Sequence, residues 1–346
     1  MNITWIIGNG FDLNLGLQTS YGSFVTKDYL TRSEIGWPEA KRVLVERANN
    51  LSEIGLWSDL EALLGAVSGR YDAADEAEVE LFHDGWEGLL EELETYLAKE
   101  DSGFLQAGLS KDEVEEFWDS VVHLGSRLKP KDADIIDIYS SDPHRHTYSF
   151  VTLNYTHTID AFVKAAKRAH NPFDERALAA TYRDLAVDPM HVHGVLAPNR
   201  LGEIVMGLSW PTQIANEKLA GDSDMLQLWL KDQRNDFYRN RRNDQLKKCI
   251  DGSNIVIIYG CSLGESDAYI WKQVCDWITR GVERRLLILD HGVPPLGNCH
   301  LRNFQKARKA VISRFSAFGG FAEDQIAALE KRVVVENSGV VFAFGR

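Results

Sequence analysis

The stretch IIGNGFD, residues 6–12, decides how this chain is read. It closes a short apolar run at residues 3–7. Two glycines spaced by one, Gly8 and Gly10, let the backbone turn sharply and approach a ligand closely. The helix expected after them would offer unpaired N–H groups to a diphosphate. Strand, glycine turn and helix in that order open a dinucleotide-binding fold, although Asp12 and Leu13 stand where its fingerprint carries a third glycine. By spacing alone the loop is either a nucleotide loop or a tight strand-to-helix turn.

Six further runs resemble the first, at residues 148–153, 191–196, 204–206, 255–259, 286–289 and 333–344. Most are continuously apolar and bounded by Gly, Asn or Asp, the pattern of strands buried on both faces of a parallel sheet. The expected fold class is therefore α/β, a Rossmann-like, mainly parallel sheet, here a single domain over residues 1–346 carrying two mainly helical insertions. The first insertion spans about 32–140. Its segment 71–101 holds twelve acidic residues against one Lys, with Phe82, Trp86, Leu89, Leu90, Leu93 and Leu97 at helical spacing. The second spans about 211–248. Its segment 231–248 carries seven Lys and Arg against three Asp, which reads either as a solvated helix face or as a groove for a phosphate backbone.

Composition bounds the function. The 346 residues are 44% hydrophobic and 26% charged, and 38 basic against 51 acidic residues give a net charge of −13. That balance argues against general affinity for nucleic acid or anionic membrane. The opening MNITWIIGNG has no basic leader, and no run approaches the ~20 apolar residues of a membrane span. Cys249, Cys261, Cys275 and Cys299 never reach a CxxC spacing, so no zinc ribbon is encoded and reduced thiols in a cytoplasmic protein are expected.

Three later strand ends carry polar residues suited to chemistry. Asn154, in TLNYTHT after the 148–153 run, would face the crevice where ligands bind in open parallel sheets; alternatively Asn154, Thr156 or Thr158 caps the next helix. In HVHG, His191 and His193 stand two apart, so on a strand both imidazoles face one side, with Gly194 leaving room beside them. They suit catalysis, a metal pair lacking its third ligand, or structural roles. In YGCSLGESD, Gly260 permits a close turn and Ser262 can bond a ribose or phosphate oxygen. Asp267 can accept from hydroxyls or cap the helix holding Trp271 and Trp277. The G-x-S-x-G spacing around Ser262 has no matching acid and histidine in order.

Taken together, GNGFDLNLGLQTSY (8–21), LWSDLE (56–61), TLNYT (152–156), HG (193–194) and YGCSLGESD (259–267) resemble the AbiH abortive-infection family of bacterial antiphage proteins. That family is in turn similar to a divergent sirtuin-like NAD-binding fold. The resemblance implies an NAD pocket in which Gly8, Asn9, Gly10, Phe11 and Asp12 form the first loop, with Thr156, Gly260, Ser262 and Asp267 also on the ligand. It implies Asn154 and His193 as the catalytic pair of an NAD glycohydrolase that needs no metal. Asn9 stands where that pattern has Ala, Thr156 where it has an acid, and the zinc-binding cysteine quartet of protein deacylases is missing. Within LWSDLE, Trp57, Leu60 and Leu64 have core spacing, while Asp59 and Glu61 project to the pocket or to solvent.

An enzyme that depletes NAD needs restraint before infection, so a homo-oligomer or a phage-derived trigger is the expected partner. Two other classes stay open: a nucleotide sensor without turnover, and a nucleic-acid-acting effector using the basic segment.

Overall fold

The run at residues 3–7 becomes β1 (Asn2–Ile7), the centre of the sheet. In this computed structural model the described residues are 1–26, 38–49, 59–136, 146–170, 185–197, 204–237, 241–295 and 301–345. Six more strands follow: β2 (Thr147–Thr152), β3 (Leu185–Ala186), β4 (Met190–His191), β5 (Ile255–Tyr259), β6 (Arg285–Asp290) and β7 (Val333–Asn337). All pairings are parallel, and the main path runs β3-β2-β1-β5-β6-β7, with β4 also pairing β2. Six strands on that path reproduce the 3-2-1-4-5-6 order of doubly wound folds. The order reverses between β1 and β5, and register brings Ile7 level with both Thr152 and Tyr259 at the carboxyl ends.

Alternation along the strands explains why helices cover both faces. Ile3, Trp5 and Ile7 join Phe150, Ile257 and Leu287 in one core with Phe117 and Phe162 from the helices Lys111–Val122 and Thr158–His170. Ile6, Val151, Val256 and Ile258 join Trp271, Val274 and Phe315 in the other, against Ala268–Thr279 and Leu301–Gly319. A third core lies in the inserted segments. There Phe82, Trp86, Leu89, Leu90 and Leu93, on the 32-residue helix Glu76–Ala107, pack on Leu60, Leu64, Trp229 and Leu230. This is the amphipathic acidic helix that the 71–101 spacing anticipates.

Three runs behave differently from the sequence reading. Residues 191–196 leave the sheet after His191, because the chain turns at Gly194 (φ +82°), and Leu196 packs in the third core. Residues 204–206 form no strand; Ile204 and Met206 belong to that same core. The 333–344 run is a strand only to Asn337, after which Phe342 and Phe344 fold back onto the first core. In the second insertion, the helices Ser223–Trp229, Lys231–Phe237 and Arg242–Asp251 are present, but Lys231 and Asn235 are buried, so the basic segment is not simply a solvated face. No helix among the described residues is long and apolar enough to cross a membrane.

Candidate functional site

At the reversal point two glycine turns meet backbone to backbone. Gly8 N donates to Tyr259 O at 2.9 Å and Gly10 N donates to Gly260 O at 2.8 Å. A Cβ on Gly10 would stand 2.5 Å from the Gly260 Cα, and Gly260 itself has φ +67°. Only glycine fits this crossing, so the GNG spacing and the YGC turn are two halves of one feature. Above it opens a cavity of about 630 Å³, within the ~300–1,000 Å³ usual for ligand pockets. Gly8, Asn9, Gly10, Asp12, Asn154, Thr156, His193, Gly260, Ser262 and Asp267 all line it, as do Asp59 and Glu61.

The β2 end supplies a polar cluster. Asp12 is 1% exposed and accepts from Thr156 Oγ1 at 2.7 Å and Thr158 Oγ1 at 2.6 Å. Burial raises its carboxyl pKa to about 6, against the pull of those hydroxyls and the nearby Asn154 amide. Asn154 is 5% exposed, yet neither its Oδ1 nor its Nδ2 makes a hydrogen bond. It therefore caps nothing. A buried amide without partners costs on the order of 1–3 kcal/mol, and a cavity-lining one is placed to recover that from a ligand. Asn9 ties the first loop inward, accepting from Thr19 Oγ1 at 2.5 Å and donating to Thr19 O at 3.1 Å.

Opposite lies a buried charge network. Lys231 Nζ donates to Glu61 Oε2 at 2.8 Å and to Asp267 Oδ1 at 2.7 Å, while Glu61 Oε1 accepts from Gly207 N at 3.0 Å. His193 Nε2 stands 3.3 Å from Asp267 Oδ1 and 3.4 Å from the Tyr269 hydroxyl. Burial raises Glu61 to about 7 in spite of Lys231. Burial also opposes charge on Asp267 and Lys231, but their mutual attraction outweighs it, holding Asp267 below the carboxylate range and Lys231 well above the usual lysine value. For His193, burial and then the Lys231 charge push the imidazole down to about 3, so it is neutral at physiological pH.

Several sequence assignments are corrected. Phe11 is fully buried in an aromatic cluster with Phe162 and Phe342, 5.6 and 5.4 Å between centroids, and does not line the cavity. The reason is local: the helix Gly10–Asn14 turns that side chain into the first core, on one face of the sheet. His191 and His193 do not share a site. His191 holds Asp160 at 2.8 Å and the Asn154 carbonyl at 3.1 Å, facing away from the cavity, because the strand ends between the two histidines. Asp267 makes no side-chain cap on its helix, its oxygen being committed to Lys231. Asp59 does cap a helix, accepting from Ala62 N at 3.0 Å. Trp57 lies outside the described residues, as do 238–240 of the basic segment. No cluster of three or more His, Cys, Asp or Glu side chains suited to a metal occurs among the described residues.

Lys231 and Tyr155, which line the cavity, and Tyr269, whose hydroxyl meets His193, are site residues that sequence reasoning missed. Lys231 looks like the start of a charge run. The signal lies in the apolar residues before it, Trp229 and Leu230, which bury the chain at that point.

The fold and the site together define a doubly wound α/β protein with a buried, charged cavity at the point where the strand order reverses. Residues 4–287 match the family described as Bacteriophage abortive infection AbiH, and the chain belongs to that family. Its role therefore lies in phage abortive infection. No curated protein matches the sequence.

Proposed function

We propose that the chain acts in abortive infection by binding NAD across the reversal point and hydrolysing its nicotinamide glycosidic bond. The observation that carries this reading is the unpaired, buried Asn154 amide lining the same cavity as the Gly8–Gly10–Gly260 crossing. Backbone that close to a ligand suits a diphosphate, and ligands of doubly wound sheets bind at this point.

The chemistry asks little of the leaving group, since a cationic pyridinium departs as neutral nicotinamide with the bonding electron pair. The demand falls on the ribose and on water. Water adds to the anomeric carbon and loses its proton to solvent, while neutral His193 polarises that water, Asn154 orients the sugar, and Asp12 adds negative potential as positive charge develops on the ribose. Asp267 serves Lys231 and acts on His193 rather than on the substrate.

A second reading, a sensor that retains intact nucleotide, is favoured by the engagement of His193 Nε2 with Asp267 and Tyr269. Nicotinamide release by purified protein separates the two. Turnover by wild type that falls about 10²–10⁴-fold in His193→Ala and in Asn154→Ala, with folding intact, supports hydrolysis. Stoichiometric retention of intact NAD supports the sensor, and neither binding nor release overturns both.

A further inference from the structure

We infer that the chain assembles head to tail with copies of itself, the basic outer face of the helix Leu301–Gly319 in one copy docking on the acidic outer face of the helix Glu76–Ala107 in the next. The inference stands apart from the nucleotide reading.

The helix Leu301–Gly319 carries Arg302, Lys306, Arg308, Lys309 and Arg314 and no acid, in a chain whose net charge is −13. At about 100° per residue, Arg302, Lys306 and Lys309 fall within about 60° of one another, and all three are exposed. Their side chains make no ion pair among the described residues. Basic side chains elsewhere have found acids, as Arg47 has Glu78, Arg127 has Glu116 and Lys272 has Asp276.

The helix Glu76–Ala107 is the converse, strongly acidic with Lys99 its one basic residue. Its buried and half-buried acids are engaged, Glu78 with Arg47, Glu92 with Lys41 and Asp101 with His157. Glu76, Glu80, Asp84, Glu87 and Glu91 form an exposed stripe within about 80° and make no ion pair among the described residues. Successive members of either stripe stand three or four residues apart, the spacing at which like charges repel along a helix. An opposite charge from outside the chain relieves that repulsion, and each stripe is the complement of the other.

Within one chain the stripes do not meet. Leu301–Gly319 packs in the second core beside Ala268–Thr279, and Glu76–Ala107 packs in the third. The basic stripe runs about 10 Å from Arg302 to Lys309 and the acidic one about 22 Å from Glu76 to Glu91, so the first seats within the length of the second. A net charge of −13 disfavours approach of two copies through their acidic surfaces, which leaves the basic helix to steer the encounter. Because the two surfaces differ, the contact repeats from copy to copy and gives a ring or a filament. Arg314, on the flank of the basic helix, lines the cavity and donates to Ser262 O at 3.1 Å, so each junction borders the cavity of one copy.

Light scattering on the purified full chain tests this. Wild type should form assemblies larger than a dimer at about 0.1 M salt and dissociate toward monomer at about 1 M, as the screening length falls from ~10 to ~3 Å. Lys306→Glu with Lys309→Glu, and separately Glu87→Lys with Glu91→Lys, should each weaken association about tenfold or more at unchanged melting temperature. Mixing the two reversed proteins should restore assembly, because each again meets an opposite stripe; a surface that had merely been damaged would not regain it. A wild type that stays monomeric at both salt concentrations, a discrete dimer indifferent to the reversals, or a mixture that stays dissociated would overturn the head-to-tail contact. Salt-sensitive binding of duplex DNA or RNA by a monomeric wild type, lost on reversal of Lys306 and Lys309, would overturn it in favour of a nucleic-acid face.

Discussion

Lys231 Nζ lies 2.8 Å from Glu61 Oε2, with both side chains at most 3% exposed, although 170 residues separate them in sequence. The contact joins the two inserted segments, and Asp267 extends it to the sheet. Removing the ammonium leaves the buried Glu61 carboxylate and the partly buried Asp267 uncompensated. Lys231→Met should therefore lower unfolding stability by about 3–5 kcal/mol in urea denaturation. Pairing it with Glu61→Gln should restore part of that loss, and an additive double variant would show that the contact carries no coupling.

Asp12 gives stability a pH signature of known sign. Its folded pKa of about 6 exceeds the ordinary 3.8, so between those values the folded state binds more protons than the unfolded chain. The stability linked to this carboxyl is present below about pH 4 and is lost as pH rises to about 6. Asp12→Asn removes the titration. Its stability relative to wild type should climb across that window by on the order of 3 kcal/mol and then level off, as read by denaturation at each pH. A difference that stays flat from pH 4 to 7 would show that Asp12 titrates normally.

Asn154 separates stability from binding. Because its amide completes no hydrogen bond and favours the Asp12 anion only from nearby, Asn154→Leu replaces an unsatisfied group by an apolar one of similar shape and should leave the melting temperature unchanged or higher. Nucleotide affinity should fall about tenfold or more. A large loss of stability would mean that the amide is structurally engaged.

The crossing tolerates no side chain. Gly10→Ala would place its Cβ 2.5 Å from the Gly260 backbone, so the turns must part. A loss of about 1–3 kcal/mol together with loss of ligand binding is expected, by analogy with overpacked cores. Gly16→Ala meets nothing within 4 Å and should keep binding, although its positive φ carries a backbone cost.

His193 offers a spectroscopic check. With its pKa pushed down to about 3, the imidazole should stay neutral in NMR titrations down to about pH 4, whereas an ordinary histidine becomes charged near 6.5. A His193 signal that titrates near 6.5 would place the ring in contact with water.

Local sequence determined the strands and their glycine turns. Residues 3–7, 148–153 and 255–259 are apolar without interruption because both faces of a central parallel strand are covered, and Gly8, Gly10 and Gly260 are required where two backbones touch. The acidic helix was legible for the same reason, since its apolar stripe repeats at a helical period. Sequence also brought Asn154 and His193 to the cavity through their place at strand ends. Only the tertiary structure decided that His191 turns away from His193, because a strand stops where the packing of the next segment pulls the chain out of the sheet. It alone revealed that Phe11 is core and that Lys231, which begins a basic run, is the buried partner of Glu61 and Asp267. Burial and pairing across 170 residues arise from the meeting of segments, and no local pattern records them.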